Sequence, residues 1–336
     1  MKYNRIYKFD NLKFILILFV VIGHFVDLYV SQYRTMKMIF IFLYSFHMPL
    51  FIFLTGLFQR KLKMFKDIPI KKIIFYLFLI FFMKIAIFYL SEYFGCGYSF
   101  ELLSGSEVYW YLSVIIIYVL ITPIINKIKF WYLFIFSIIL GLFVGYDSSI
   151  NDYLYLSRSI VFFPFYLLGY HYTNNKDFVL NICNKKWLKI ISLFVIALFI
   201  YVCIFRLDDI YKYRMLFTGK NPYSYFTEFV CTYKHRLFTY LISFVVGFCV
   251  MCIMPNKKIK IISNMGRRTL QVYVFHQPII ILMQGLGLFN LLENTFNECF
   301  KYIYILIAVI VTLFLSLRLF DRILDYIKNN MFEDIE

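Results

Sequence analysis

Apolar runs of bilayer length recur through almost the whole chain, and they leave few folds open. A hydrocarbon core is spanned by about 20 apolar residues in helical form. Ten such runs stand at 12–30, 38–58, 70–90, 108–126, 130–146, 157–172, 187–206, 237–254, 268–288 and 300–320. None alternates in polarity as a membrane-barrel strand must. The expected fold class is therefore all-α: a polytopic integral membrane bundle of about ten transmembrane helices, forming one transmembrane domain over 1–336. The first run is long and lacks a small-residue cleavage site, so it serves as the first span rather than a leader. Composition agrees, since 62% of the residues are hydrophobic against roughly half in soluble domains.

A net charge of +16 could suit nucleic acid, so the placement of the basic residues decides its meaning. With a cytoplasmic N-terminus, the inside segments hold Lys2, Arg5, Lys8 and Lys13, then Arg60, Lys61, Lys63, Lys66, Lys71 and Lys72. Further inside segments add Lys127 and Lys129, the lysines of 176–189, the basic cluster of 257–268, and Arg318, Arg322 and Lys328. The outer segments carry about nine cations against 24 inside, six of the nine in or beside 206–236, and between 91 and 107 stand only acids, Glu92, Glu101 and Glu107. This positive-inside bias places both termini in the cytoplasm. Charge thus reports topology, the expected partner is the lipid bilayer, and no nucleic acid is expected.

The longest polar interruption is 207–236, "LDDIYKYRMLFTGKNPYSYFTEFVCTYKHR", a long extracytoplasmic loop with a turn at Gly219 and Pro222. It is either a substrate lid or an ordered interfacial segment. The seven cysteines are odd in number and scattered, and Cys249 and Cys252 lack a second ligand pair, so they read as packing residues. No metal is expected.

The segment "FDNLKFILILFVVIGHF", residues 9–25, places ionisable groups inside the first span. Eleven residues of helix advance the azimuth to within about 20° and the axis by about 16 Å, so Lys13 and His24 share a face. Asp10 and Asp27 fall within about 60° of His24. Such a stripe faces protein or water, because ionisable groups are penalised in lipid. A second buried imidazole, His47, lies in "YSFHMPLFIFLTG", where Pro49 should kink the helix and free the Ser45 carbonyl. Counted from the outer helix ends, the two imidazoles differ in depth by about 4 Å and could meet. They form a site, or each merely bonds a neighbouring helix. Other polar groups in apolar runs carry similar alternatives. Trp110 and Tyr111 suit an interfacial belt. Arg158, on a helix that Pro164 should kink, is a snorkelling anchor or a clamp for an anion or hydroxyl. His276 is core packing or part of a site. Lys84, His171 and His235 read as surface or pairing residues.

An imidazole near neutrality suits general-base work on a hydroxyl, and cations at the inner end suit an anionic donor. Together they describe acyl transfer from a cytoplasmic thioester such as acetyl-CoA to an alcohol. No Walker loop, GxGxxG, zinc spacing or GxSxG elbow is present.

The stretches "FDNLKFILILFVVIGHF", "YSFHMPLFIFLTGLF", "WYLSVIIIYVL", "SRSIVFFPFYLLGY" and "YVFHQPI", in this order, resemble the membrane acyltransferase-3 family, particularly its fucose 4-O-acetylase-like branch. The resemblance implies a ten-helix bacterial plasma-membrane enzyme that uses acetyl-CoA to O-acetylate a cell-surface polysaccharide, such as a capsule, or its lipid-linked precursor. It matches Lys13 and His24 to a family pair of a basic residue followed by an essential His, and it matches His47 and Arg158 to further family positions. Where many relatives carry two arginines that meet the CoA donor, this chain has Lys71 and Lys72 followed by Phe75, which can act on phosphate only as point charges. The expected roles are then catalysis by His24, His47 and Asp27, and donor binding by Lys13, Lys71 and Lys72. Arg158, Trp110, Tyr111 and His276 are expected to bind the acceptor. The alternative is a sugar or polysaccharide transporter or flippase with a protonatable path, and a third reading is a non-catalytic scaffold of an export complex.

Overall fold

Hydrocarbon offers no water to backbone N–H and C=O groups, so each apolar run has to close its hydrogen bonds as helix. The computed structural model describes residues 5–105, 108–150 and 152–332; Lys2 and Glu107, part of the charge bias, lie outside them. Among the described residues all regular structure is helical. The α-helices are α1 (Tyr7–Asp27), α2 (Arg34–Tyr44), α3 (His47–Phe58), α4 (Ile70–Phe94), α5 (Trp110–Ile125), α6 (Phe130–Phe143), α7 (Leu156–Val161), α8 (Phe163–His171) and α9 (Lys176–Cys183). They continue with α10 (Lys186–Phe205), α11 (Leu207–Tyr211), α12 (Arg214–Phe217), α13 (Tyr233–Ile253), α14 (Lys260–Met265), α15 (Thr269–Gly285), α16 (Leu288–Phe296), α17 (Phe300–Leu315) and α18 (Arg318–Asn330).

Five helical stretches, with α2 and α3 counted together, are long and apolar enough to cross a membrane, and up to seven if the bent pairs α15–α16 and α17–α18 each count once. The ten apolar runs divide accordingly. Those at 108–126 and 130–146 form the shorter helices α5 and α6, and the one at 157–172 is split between α7 and α8. Polar and proline chemistry causes the splits. The run at 38–58 breaks at Ser45 and Phe46, three residues before Pro49, and the Ser45 carbonyl accepts a hydrogen bond from Ser243 Oγ of α13. That bond replaces the one a proline-bearing turn cannot supply. Phe162 breaks the other run one turn before α8 settles, with Pro164 in the first turn. Pro278, in contrast, lies within a continuous α15.

The first helix, α1, is the hub, packed on α2, α3, α14, α15 and α17. Its Lys8, fully buried, donates to the carbonyls of Cys183, Met251 and Cys252 at 3.1 to 3.3 Å. A cation there satisfies the free carbonyls and negative dipole ends of α9 and α13. Helices α3 and α8 pack backbone against backbone. A side chain on Gly56 would overlap the Tyr166 carbonyl, and one on Gly169 would overlap the Phe53 carbonyl. Small residues that let two backbones touch are the usual membrane solution. Gly169→Leu is therefore expected to lower stability by about 3 kcal/mol or more, at or above the usual range for overpacking, read as loss of monodisperse protein or a lowered thermal midpoint in detergent. A midpoint unchanged within a degree would contradict this packing.

Segment 207–236 is folded rather than open. It contains α11, α12 and a short turn at Tyr223–Tyr225. Arg236, fully buried, donates to the carbonyls of Leu216 at 2.7 Å and Asn221 at 3.4 Å, and Ser157 Oγ donates to the Gly219 carbonyl at 2.8 Å. These bonds fasten the segment over one end of the bundle, the end where α1 finishes.

Candidate active site

Two polar cavities occupy opposite ends of α1. The first, about 450 Å³, lies under segment 207–236. From α1 it receives His24 and Asp27, and from the α2–α3 break Tyr44 and His47. Because the helix restarts at His47, its Nδ1 can donate back to the Leu43 carbonyl at 2.6 Å, which leaves Nε2 as the nitrogen with a free lone pair in the neutral ring. The Tyr44 ring meets it edge-on at 5.0 Å.

His24 and His47 thus line one chamber, but the ring packed on His24 is His276, at 5.3 Å between centroids. His276 is fully buried, its Nδ1 donates to the Val272 carbonyl at 3.0 Å, and its Nε2 has no partner among the described residues. Asp27, one turn beyond His24, is exposed to the chamber and makes no hydrogen bond to His24 among the described residues. Arg158 enters from α7, with its guanidinium 4.9 Å over the Trp110 ring and its Nε 3.5 Å from Asp152. Asp152 also reaches Lys220 of the folded segment at 3.2 Å. Neither Asp152 nor Lys220 was anticipated from the sequence, and the only trace is an acid six residues before Arg158. Tyr44, Tyr273 and Gln277 line the chamber unannounced as well.

The second cavity, about 420 Å³, opens at the basic end of the bundle. Asp10 and Lys13 of α1, Lys72 of α4 and Arg267 before α15 line it. Lys13 Nζ stands 4.0 Å over the Phe58 ring. Lys71 does not line this cavity, and its ammonium lies 5.8 Å over the Phe332 ring. The two lysines are adjacent in sequence, but on a helix they point about 100° apart.

Between these chambers lies a neck of about 110 Å³. It shares Val20, Met48 and Tyr273 with the first and Tyr76, Tyr111 and Thr269 with the second. Tyr111 and Thr55 hydrogen-bond at 2.6 Å beside it. Trp110 and Tyr111, neighbours in sequence, therefore belong to different compartments. The neck shares walls with both chambers, so the three spaces lie in succession along α1 as a candidate path. Such a path can admit an anionic ligand at one end and bring a long narrow arm to imidazoles near the other.

A family model described as an acyltransferase domain matches residues 6–321. No curated protein and no solved structure matches the chain.

Proposed function

Since the chain belongs to that acyltransferase family, we propose that it moves an acetyl group from acetyl-CoA to a hydroxyl of a cell-surface polysaccharide or its lipid-linked precursor. In this reading it is a bacterial plasma-membrane enzyme of the fucose 4-O-acetylase-like branch. Its basic end faces the cytoplasm, and ten crossings (α1, α2–α3, α4, α5, α6, α7–α8, α10, α13, α15 and α17) return both termini there. The observation that carries the reading is the path from the Lys13 cavity through the neck to His24.

Lys13, Lys72 and Arg267 hold the CoA phosphates as charge partners. About 16 Å of helix separates Lys13 from His24. An extended pantetheine arm, equivalent to roughly four or five residues at ~3.5 Å each, covers that distance. His24 takes the proton of the acceptor hydroxyl while the oxygen attacks the thioester carbonyl. The carbon–sulfur bond then breaks, the imidazolium returns the proton to the thiolate, and CoA leaves as its thiol. Arg158 binds the acceptor, and His47 Nε2 accepts a hydrogen bond from one of its hydroxyls. His276 sets the angle of the His24 ring.

Losing one phosphate contact costs about 1.4 kcal/mol, a tenfold change. Lys72→Ala is therefore expected to raise the KM for acetyl-CoA about tenfold, and Lys71→Ala to change it less than twofold. Steady-state kinetics of both purified variants checks this, and equal effects would contradict the placement of the donor. A continuous path also suits a sugar carrier. Purified protein in detergent separates the two readings, because an acyltransferase cleaves acetyl-CoA, slowly with water and faster with a sugar acceptor, whereas a carrier leaves the thioester intact.

A further inference from the structure

Among the described residues, two cations of the acceptor chamber, Arg158 and Lys220, converge on one carboxylate, Asp152. Arg158 is 5% exposed and Asp152 7% exposed. That single carboxylate is shared between the guanidinium, at 3.5 Å, and Lys220, at 3.2 Å. The contact with Arg158 lacks hydrogen-bond geometry, and among the described residues Arg158 Nε and Nη1 and both Asp152 oxygens are buried without a hydrogen-bond partner. Among the described residues the acid that lines the chamber, Asp27, stands on α1 and interacts with Arg214 of α12. A guanidinium offers five donors in a fork shaped for a planar or tetrahedral anion, and leaving donors unmet in a buried site is costly. A second orphan points the same way. Gln277 donates through Nε2 to Tyr98 at 3.2 Å, yet its Oε1 is buried without a donor among the described residues, and the residue lines the same chamber. The cavity therefore presents a place for one negative group and, beside it, an acceptor for a hydroxyl.

We infer that the acceptor is an acidic glycan, whose carboxylate or phosphate is held between Lys220 and Arg158 while a neighbouring hydroxyl bonds Gln277. This rests on reading the Lys220 chamber as the acceptor site. Lys220 is then a specificity residue delivered by segment 207–236, and Asp152 tempers the two cations so that the empty chamber is tolerable in the bilayer.

Binding tests this without requiring turnover, so its failure is distinct from failure of acetyl transfer. The thermal midpoint of the purified full-length protein is measured with glucuronic acid, glucose 1-phosphate or glucose at equal concentration and ionic strength. At least one acidic sugar is expected to raise the midpoint by several degrees, with glucose moving it by less than one. A response to glucuronic acid alone assigns a uronic acid, and a response to the sugar phosphate alone assigns a phosphate-bearing glycan or lipid-linked sugar. Lys220→Gln should weaken the acid's apparent affinity about tenfold and Lys220→Arg should retain it. Asp152→Asn, which removes the competing carboxylate, should tighten it. Equal responses to glucose and the acids, or an acid response undiminished in Lys220→Gln and unimproved in Asp152→Asn, would overturn the inference.

Discussion

Replacing His24 by alanine is expected to reduce the proposed acetyl transfer by about a thousandfold or more, in protein that accumulates and purifies like the parent. General-base catalysis contributes roughly 10² to 10⁴, and His24 lines the chamber one turn beyond Val20, which borders the neck as well. It makes no hydrogen bond that holds the bundle among the described residues. Its ring contacts His276 and otherwise faces the cavity, so alanine enlarges an existing space rather than creating a core void. His47 differs, because its Nδ1 closes the α2–α3 break through the Leu43 carbonyl. His47→Ala therefore combines a smaller catalytic loss, about tenfold to a hundredfold, with a lowered thermal midpoint. Labelled acetyl transfer normalised to monodisperse protein reads both effects. Normal transfer by the His24 variant would remove this imidazole from the chemistry.

The second large effect is expected at the neck. Met48 borders both the neck and the acceptor chamber, and a space of about 110 Å³ has no room for an added indole. Met48→Trp is expected to reduce transfer about a hundredfold while leaving the affinity for CoA within about threefold, because Lys13, Lys72 and Arg267, proposed to hold the phosphates, line a different cavity. Overpacking of this kind usually costs 1–3 kcal/mol of stability, so the variant is compared at a temperature where it remains folded. A calorimetric CoA titration beside the transfer assay separates the two terms. Full activity with the indole in place would mean that the arm does not pass this way.

Much of this architecture is legible from local rules. Apolar runs have to become helices, and helical arithmetic places Lys13 and His24 on one stripe, where the structure has them in two cavities toward opposite ends of α1. Proline chemistry locates the α2–α3 break near Pro49 and the turn before Pro164. Other features depend on contacts between distant segments, which no local pattern carries. Asp152 meets Lys220 only because segment 207–236 folds down, fastened by Arg236 and Ser157. His24 packs on His276, some 250 residues away, because α15 lies against α1. Lys71 and Lys72 diverge through a single residue's rotation, which fixes their faces only once the partners of α4 are known. Span counting is also limited by hydropathy alone, since α5, α6, α7 and α8 are apolar yet short.

Transfer across the bilayer is the most direct test of the path. The protein is reconstituted in liposomes with a sugar acceptor trapped inside and labelled acetyl-CoA outside, and molecules inserted with the basic end outward are selected by tagging that end. Labelled acetyl ester is expected on the trapped sugar, dependent on His24 and blocked by Met48→Trp. If ester forms only on sugar supplied on the same side as acetyl-CoA, the two chambers do not work as one route and the account fails.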